Sequence, residues 1–332
     1  MRSISSSLGL ALLLSLGTAH AAPAALLTSG AASLALYAQW FVPQSTQARI
    51  QAQALHQQLQ QYCAGHAALE QARTQFSQAS QAWELLSAVA MGPQVERRTA
   101  RMIDFQPMRV TLLRAALRKA PTDLAAMDTI GAPAKGFPVA EYLLWSDIAR
   151  PQSPACHYAT LVAADLSQEL LQLERANQAA ADSDVLDFGS NAEFLNQWIG
   201  GIERLRWASM EKPLRSATPD KPAQVTRSAS QGTLASWKAQ WSALRTLAVG
   251  DAQHPQHVSI AALVQALGWE RLASEVRSAT EQADAAMRAI DHVDLRQITP
   301  ASKALNQLKH LVENDVALAL DVTIGFSDAD GD

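Results

Sequence analysis

Phe76-Ser77-Gln78-Ala79-Ser80-Gln81-Ala82-Trp83-Glu84-Leu85-Leu86-Ser87-Ala88-Val89-Ala90 places Phe76, Ala79, Trp83, Leu86 and Ala90 at steps of three and four. That spacing lines apolar side chains along one face of a 3.6-residue helix. The pattern repeats outward from this segment. It returns in Leu195, Trp198, Ile202 and Leu205, in Leu234, Trp237, Trp241 and Leu244, and in Leu305, Leu308, Val312 and Val316. Alternating strand patterns are nearly absent, and the apolar content of 48% is mostly Ala and Leu. The fold class is therefore all-α, with amphipathic helices packed in bundles.

Breakers divide the helices. Gly92-Pro93 is expected to stop the Trp83 helix and Lys119-Ala120-Pro121 the next one. Arg150 to Pro154 separates the first half from a long helix near 155–181. The polar Asp182 to Gly189 segment reads as a hinge, which gives one helical bundle over 22–182 and a second over 183–332, side by side. Pro213 to Gln231 holds three prolines and many Ser and Thr residues, and reads either as a mobile loop or as a packed lid.

The N-terminus has the form of an export signal over residues 1–21. Arg2 gives a positive start, Leu8 to Leu16 a short apolar run, and Ala19-His20-Ala21 the small residues a signal peptidase requires. The run is far shorter than the ~20 residues that cross a bilayer. No cysteine follows the cut to take a lipid, so a soluble periplasmic product is expected. Cleavage removes one of 27 basic residues, Arg2, and none of the 31 acidic ones, leaving a net charge of −5. A mildly acidic chain without a basic block gives no electrostatic reason to bind nucleic acid or anionic lipid. No later segment is apolar enough to span a membrane. Export also places Cys63 and Cys156 where a disulfide persists. Closing a loop of about ninety residues stabilises the fold by roughly 4 kcal/mol on the chain-entropy model. The alternative is two separate buried thiols.

Gly136-Phe137-Pro138-Val139-Ala140-Glu141-Tyr142-Leu143-Leu144-Trp145 resembles the signature region of the imelysin family, in which G-x-H-x-x-E precedes a Tyr-Leu-Leu-aromatic helix. The closing Ile324 to Asp332, with Asp328, Asp330 and Asp332, resembles the family's Gly-Phe…Asp-Gly-Asp ending. Trp40 to Pro43 with Cys63, and Ser228 to Leu244, are similar more loosely. The family comprises exported bacterial proteins, some classed as metallopeptidases and others as iron-uptake components. The resemblance implies two helical bundles with the signature residues near their junction.

A His and a Glu three residues apart share a helix face and can hold zinc or iron between them. Here Pro138 stands at the histidine position, with no side-chain donor, and is suited instead to the first turn of a helix. A zinc hydrolase keeps typically three protein ligands and an activated water, so this departure argues against peptidase chemistry. Glu141 has two readings, a carboxylate at the family site able to bind a cation or an arginine, or an ordinary helix glutamate. Tyr142 to Trp145 read as core. The tail Asp328, Asp330 and Asp332 could bind a hard cation near Glu141 or fray as a terminus. Among Arg97, Arg98, Arg101 and Arg109, Arg101 is the choice that could clamp Glu141 or an anionic ligand, the alternative being a solvated or surface-paired arginine. His310 with Glu313 and His66 with Glu70 read as surface pairs, and His254 and His257 as plain loop histidines or, alternatively, a chelate for a soft cation. No phosphate loop, nucleophile elbow or H-E-x-x-H motif occurs.

These observations lead to a non-catalytic, periplasmic imelysin-like protein, a binding or accessory component of metal acquisition. Iron or another divalent cation is the implied cofactor, and other imelysin-like or iron-uptake proteins of the cell envelope are the implied partners. The alternatives are a metallopeptidase with an altered ligand set and a helical interaction module that holds no metal.

Overall fold

The computed structural model describes residues 29–183 and 190–325. The expected export signal over residues 1–21 and the Asp328, Asp330 and Asp332 tail lie outside the described residues, as does most of the Asp182 to Gly189 segment. Helix α1 spans Ser29–Leu36 and continues through a π turn, Tyr37–Phe41, into α2, Val42–Cys63. Helix α3 is Leu69–Ser87, α4 Val110–Lys119, α5 Phe137–Trp145 and α6 Pro154–Ala181. The second half holds α7, Ser190–Glu203, α8, Thr233–Val249, and α9, Ile260–Ala266. Helices α10, Glu270–Arg288, and α11, Leu295–Leu311, complete it. Among the described residues the only β features are two isolated bridges.

The helices meet on the faces that their spacing defines. Phe76, Ala79, Trp83 and Leu86 of α3 are buried, as are Leu195, Trp198, Ile202 and Leu205, and Leu305, Leu308, Val312 and Val316. Helix α2 packs against α6 and α3 to form the first bundle, and α8, α9, α10 and α11 pack with one another to form the second. The halves are joined closely. Helix α3 lies along α8, α1 packs on α7, and the buried side chains of both halves form one continuous core. Cys63 and Cys156 form a disulfide with their Cα atoms 5.6 Å apart, tying the end of α2 to the start of α6.

Helix α3 stops at Ser87, short of the expected Gly92-Pro93 boundary. The reason lies in the second half. The Ala88 carbonyl accepts a hydrogen bond from Arg204 Nη2 at 3.2 Å, and the Gly92 N–H donates to Glu193 Oε1 at 2.8 Å. Those groups would otherwise have continued the helical ladder. A Cβ at position 201 would overlap the Ala88 carbonyl, so Gly201 allows the close approach. Ala90 therefore sits beyond the helix and only half-buried.

Candidate functional site: a carboxylate–guanidinium centre beneath a packed loop

Gly136 opens α5 with φ of 83°, a left-handed conformation that favours glycine. A Cβ at this position would overlap the Ile103 carbonyl, so the short helix Thr99–Ile103 can lie directly against the start of α5. That short helix is itself held from α6, where Glu169 accepts from Thr99 Oγ1 at 2.9 Å and pairs with Arg97. Pro138 falls in the first turn of α5, where its missing N–H breaks no helical bond. Glu141 follows on the same helix and is only 6% exposed.

The Pro213 to Gln231 segment packs as a lid. Ser230 donates to Glu141 Oε1 twice, through its backbone N–H at 2.8 Å and its hydroxyl at 2.6 Å. Its base is closed by Thr233 Oγ1, which donates to the Thr226 carbonyl at 2.8 Å. Three residues before Ser230, Arg227 turns inward and is 2% exposed. Arg227 Nη2 donates to Asp104 Oδ2 at 2.7 Å and lies 3.1 Å from Glu84 Oε1. The guanidinium stacks over Phe137, with Cζ 5.3 Å from the ring centroid. Trp83 Nε1 donates to Asp104 Oδ2 at 2.9 Å, and Gln240 Nε2 of α8 donates to Glu84 Oε2 at 2.7 Å. The centre thus draws on α3, the 99–104 segment, the lid and α8.

Its electrostatics follow from burial. Desolvation by itself favours loss of the guanidinium proton. Asp104 and Glu84, with Glu141 farther off, outweigh that effect and hold Arg227 above its ordinary range, so it stays charged. Desolvation pushes the Glu84 carboxyl up, against the attraction of Arg227 and the hydrogen bond from Gln240. Arg227 Nε and Nη1 have no hydrogen-bond partner among the described residues. Their compensation is the aromatic face and the surrounding negative field.

Above this centre a cavity of about 650 Å³ opens between the lid and α5. Pro138, Glu141, Tyr142 and Arg227 line it, together with Lys212 and Lys221. Tyr142 is thus a wall residue rather than purely core, whereas Leu143 and Leu144 are buried as expected.

The structure brings Gly136, Pro138 and Glu141 together. Arg101 does not join them: it is exposed on the outward side of the Thr99–Ile103 helix, and Arg227 supplies the arginine of the site. Glu84, Asp104, Arg227 and Ser230 were not legible as site residues. Nothing in the spacing of α3 marks Glu84, and Arg227 sits in a polar loop where arginines are ordinarily solvated. One signal pointed to the lid, the similarity that begins at Ser228. His310 pairs with Glu313 at 3.1 Å on the surface, as its position predicts. His254 and His257 stack on each other away from the site, and Glu70 pairs with Arg73 rather than with His66.

Among the described residues, the donor set does not fit a metal ion. Pro138 offers no donor, and Glu141 Oε1 is taken by two hydrogen bonds. Glu84 and Asp104 are drawn to the Arg227 cation, and no histidine lines the cavity. No group of three or more His, Cys, Asp or Glu side chains is placed to hold a metal ion among these residues.

The fold and the site define an all-helical protein whose signature helix is roofed by a packed loop over a buried arginine. Residues 41–317 match the family model for imelysin, and the chain belongs to the imelysin family. Among solved structures it is similar to an imelysin-like protein from Psychrobacter arcticum 273-4, with TM-score 0.73 and 17% identity, covering 90% of this chain and 97% of that one. It is also similar to a protein of Parabacteroides distasonis ATCC 8503 described as "putative iron-regulated protein A precursor". There the TM-score is 0.72 and the identity 14%, covering 89% of this chain and 94% of that one. At these identities the likeness is one of fold. A comparison with curated proteins returned no match.

Proposed function

We propose that this protein is a non-catalytic, periplasmic member of the imelysin family, acting as a binding or accessory component of iron acquisition beside other imelysin-like or iron-uptake proteins of the envelope. The observation that carries the non-catalytic part is the state of the signature carboxylate. Glu141 is buried and hydrogen-bonded twice by Ser230, and its charge helps hold the Arg227 guanidinium in its charged form. A hydrolytic metal needs several protein ligands and one open position, and this arrangement offers neither around Glu141. The iron part draws support from the description of the Parabacteroides distasonis neighbour, and the periplasmic part from the Arg2 to Ala21 signal. No helix among the described residues is long and apolar enough to cross a membrane, which accords with an exported product.

Two measurements test this. Titrating the purified protein and its Glu141→Ala variant with Fe²⁺, Fe³⁺ and Zn²⁺ in a weakly coordinating buffer should show no tight site that depends on Glu141, and no peptide hydrolysis in either. Tight binding abolished by the substitution would overturn the assignment of Glu141 to structure. Deleting the gene in its native host should slow growth under iron limitation and leave iron-replete growth unchanged. Equal growth in both conditions would remove the iron role.

A further inference from the structure

Beyond the buried centre, the cavity over α5 has a chemistry of its own. Its lining has one carboxylate, Glu141, already engaged by Ser230, and one guanidinium, Arg227, already engaged by Asp104 and Glu84. The two remaining charged groups on its walls are Lys212 and Lys221. Neither ammonium has an ion-pair or hydrogen-bond partner among the described residues, whereas nearby Arg206 and Arg215 are both paired with Glu211. Both lysines are exposed, so their heads stay hydrated and free to turn toward a ligand. Pro138 and Tyr142 of α5, with Pro107 and Met108, also line the cavity and give it a mixed apolar surface. A volume of about 650 Å³ lies within the range of small-molecule sites.

The two unpaired ammonium groups outnumber the single Glu141 carboxylate on the lining, so the site favours anions over bare cations. Ferric iron in neutral, aerated water hydrolyses unless held by a chelator with hard oxygen donors, and polycarboxylate chelates, whose carboxylates outnumber the three charges of the metal, carry net negative charge. We propose that this cavity binds iron as an anionic polycarboxylate-type chelate, held by Lys212 and Lys221 through the ligand's outer oxygens, with no protein side chain coordinating the metal. This inference rests on the iron-acquisition reading above, and it accounts for how a family site without its histidine could still serve iron. No covalent or redox step is involved.

The test is calorimetric titration of the purified protein with ferric citrate and, separately, with iron-free citrate. Four proteins are compared: the wild type, Lys212→Glu, Lys221→Glu, and Arg245→Ala, a change in a separate basic groove formed by α8 and α10. Ferric citrate should bind the wild type, and each charge reversal should weaken it by roughly tenfold or more, because a charge-assisted contact is lost. Arg245→Ala should bind as the wild type does, and raising the salt should weaken binding. Circular dichroism of the lysine variants should match the wild type, since both positions are exposed and unpaired. Binding of iron-free citrate with equal affinity would overturn the chelate and leave a polycarboxylate site. Absent binding of ferric citrate, or binding indifferent to both charge reversals, would overturn the cavity assignment. In either case an iron-limited growth defect on deletion would leave the proposed function standing, so the two claims fail separately.

Discussion

Arg227 brings to the core a charge that burial alone would expel, and it is kept there by Asp104, Glu84 and the face of Phe137. Removing one member of a buried ion pair leaves its partners uncompensated, at a cost of about 3–5 kcal/mol. Arg227→Ala should lower the unfolding free energy by that order in urea denaturation. Arg227→Lys should recover little of it, because an ammonium cannot reproduce the planar stacking of the guanidinium on Phe137. A variant as stable as the wild type would show that the centre contributes nothing to the fold. At this scale the signature was half legible. Gly136, Pro138 and Glu141 were readable because their order in the chain carries the pattern, and Pro138 was correctly placed at a helix start. Arg227 was not readable, since nothing in a Ser- and Pro-rich segment distinguishes an arginine that turns inward from one that stays in water.

At the scale of elements, the faces of α3, α7, α8 and α11 follow their three- and four-residue spacing, while their ends respond to neighbours. The early stop of α3 is one case, set by Arg204 and Glu193. The π segment Arg204–Glu211 is another, joining α7 to the lid. Glu211 at its end is bound by Arg206 at 3.1 Å, Arg215 at 2.6 Å and the Ser302 hydroxyl of α11. Burial pushes its carboxyl up, but the Ser302 and Arg215 hydrogen bonds and the charges of Arg215 and Arg206 prevail and hold it below its ordinary value. A carboxyl depressed in the folded state adds stability above its unfolded pKa, and that contribution is lost as pH falls through the folded value. Glu211→Gln should therefore be destabilised by about 1–3 kcal/mol at neutral pH. Its deficit relative to the wild type should shrink as pH drops below the ordinary value of 4.5. Thermal melts of both proteins across that range check the sign, and a deficit that grows in acid would contradict it.

For the whole molecule, the buried side chains on both sides of residues 182–189 form one continuous core along the contact of α3 with α8. Unfolding should accordingly be a single cooperative transition, monitored by tryptophan fluorescence and by circular dichroism together. Two separated transitions would mean that the halves are energetically independent. The Cys63–Cys156 disulfide closes most of the first bundle into one loop. Its reduction should lower stability by about 2–5 kcal/mol, seen as a lower melting temperature in dithiothreitol with the helical signal retained below the transition.

The sequence by itself determined the all-helical class, the buried faces, the family, the pairing available to two cysteines, and the loss of the imidazole at Pro138. Each of these depends on residue identity and local spacing, which a linear chain displays directly. Only the tertiary structure decided that Glu141 meets Ser230 rather than Arg101, that Glu84, Asp104 and Arg227 converge, and that Lys212 and Lys221 flank a cavity above α5. Those pairings join residues some 90 to 160 positions apart, such as Glu141 with Ser230 and Gln240 with Glu84. Their geometry comes from how α3, α5, α8 and the lid pack, and side-chain burial in a polar loop leaves no periodic trace in the order of residues.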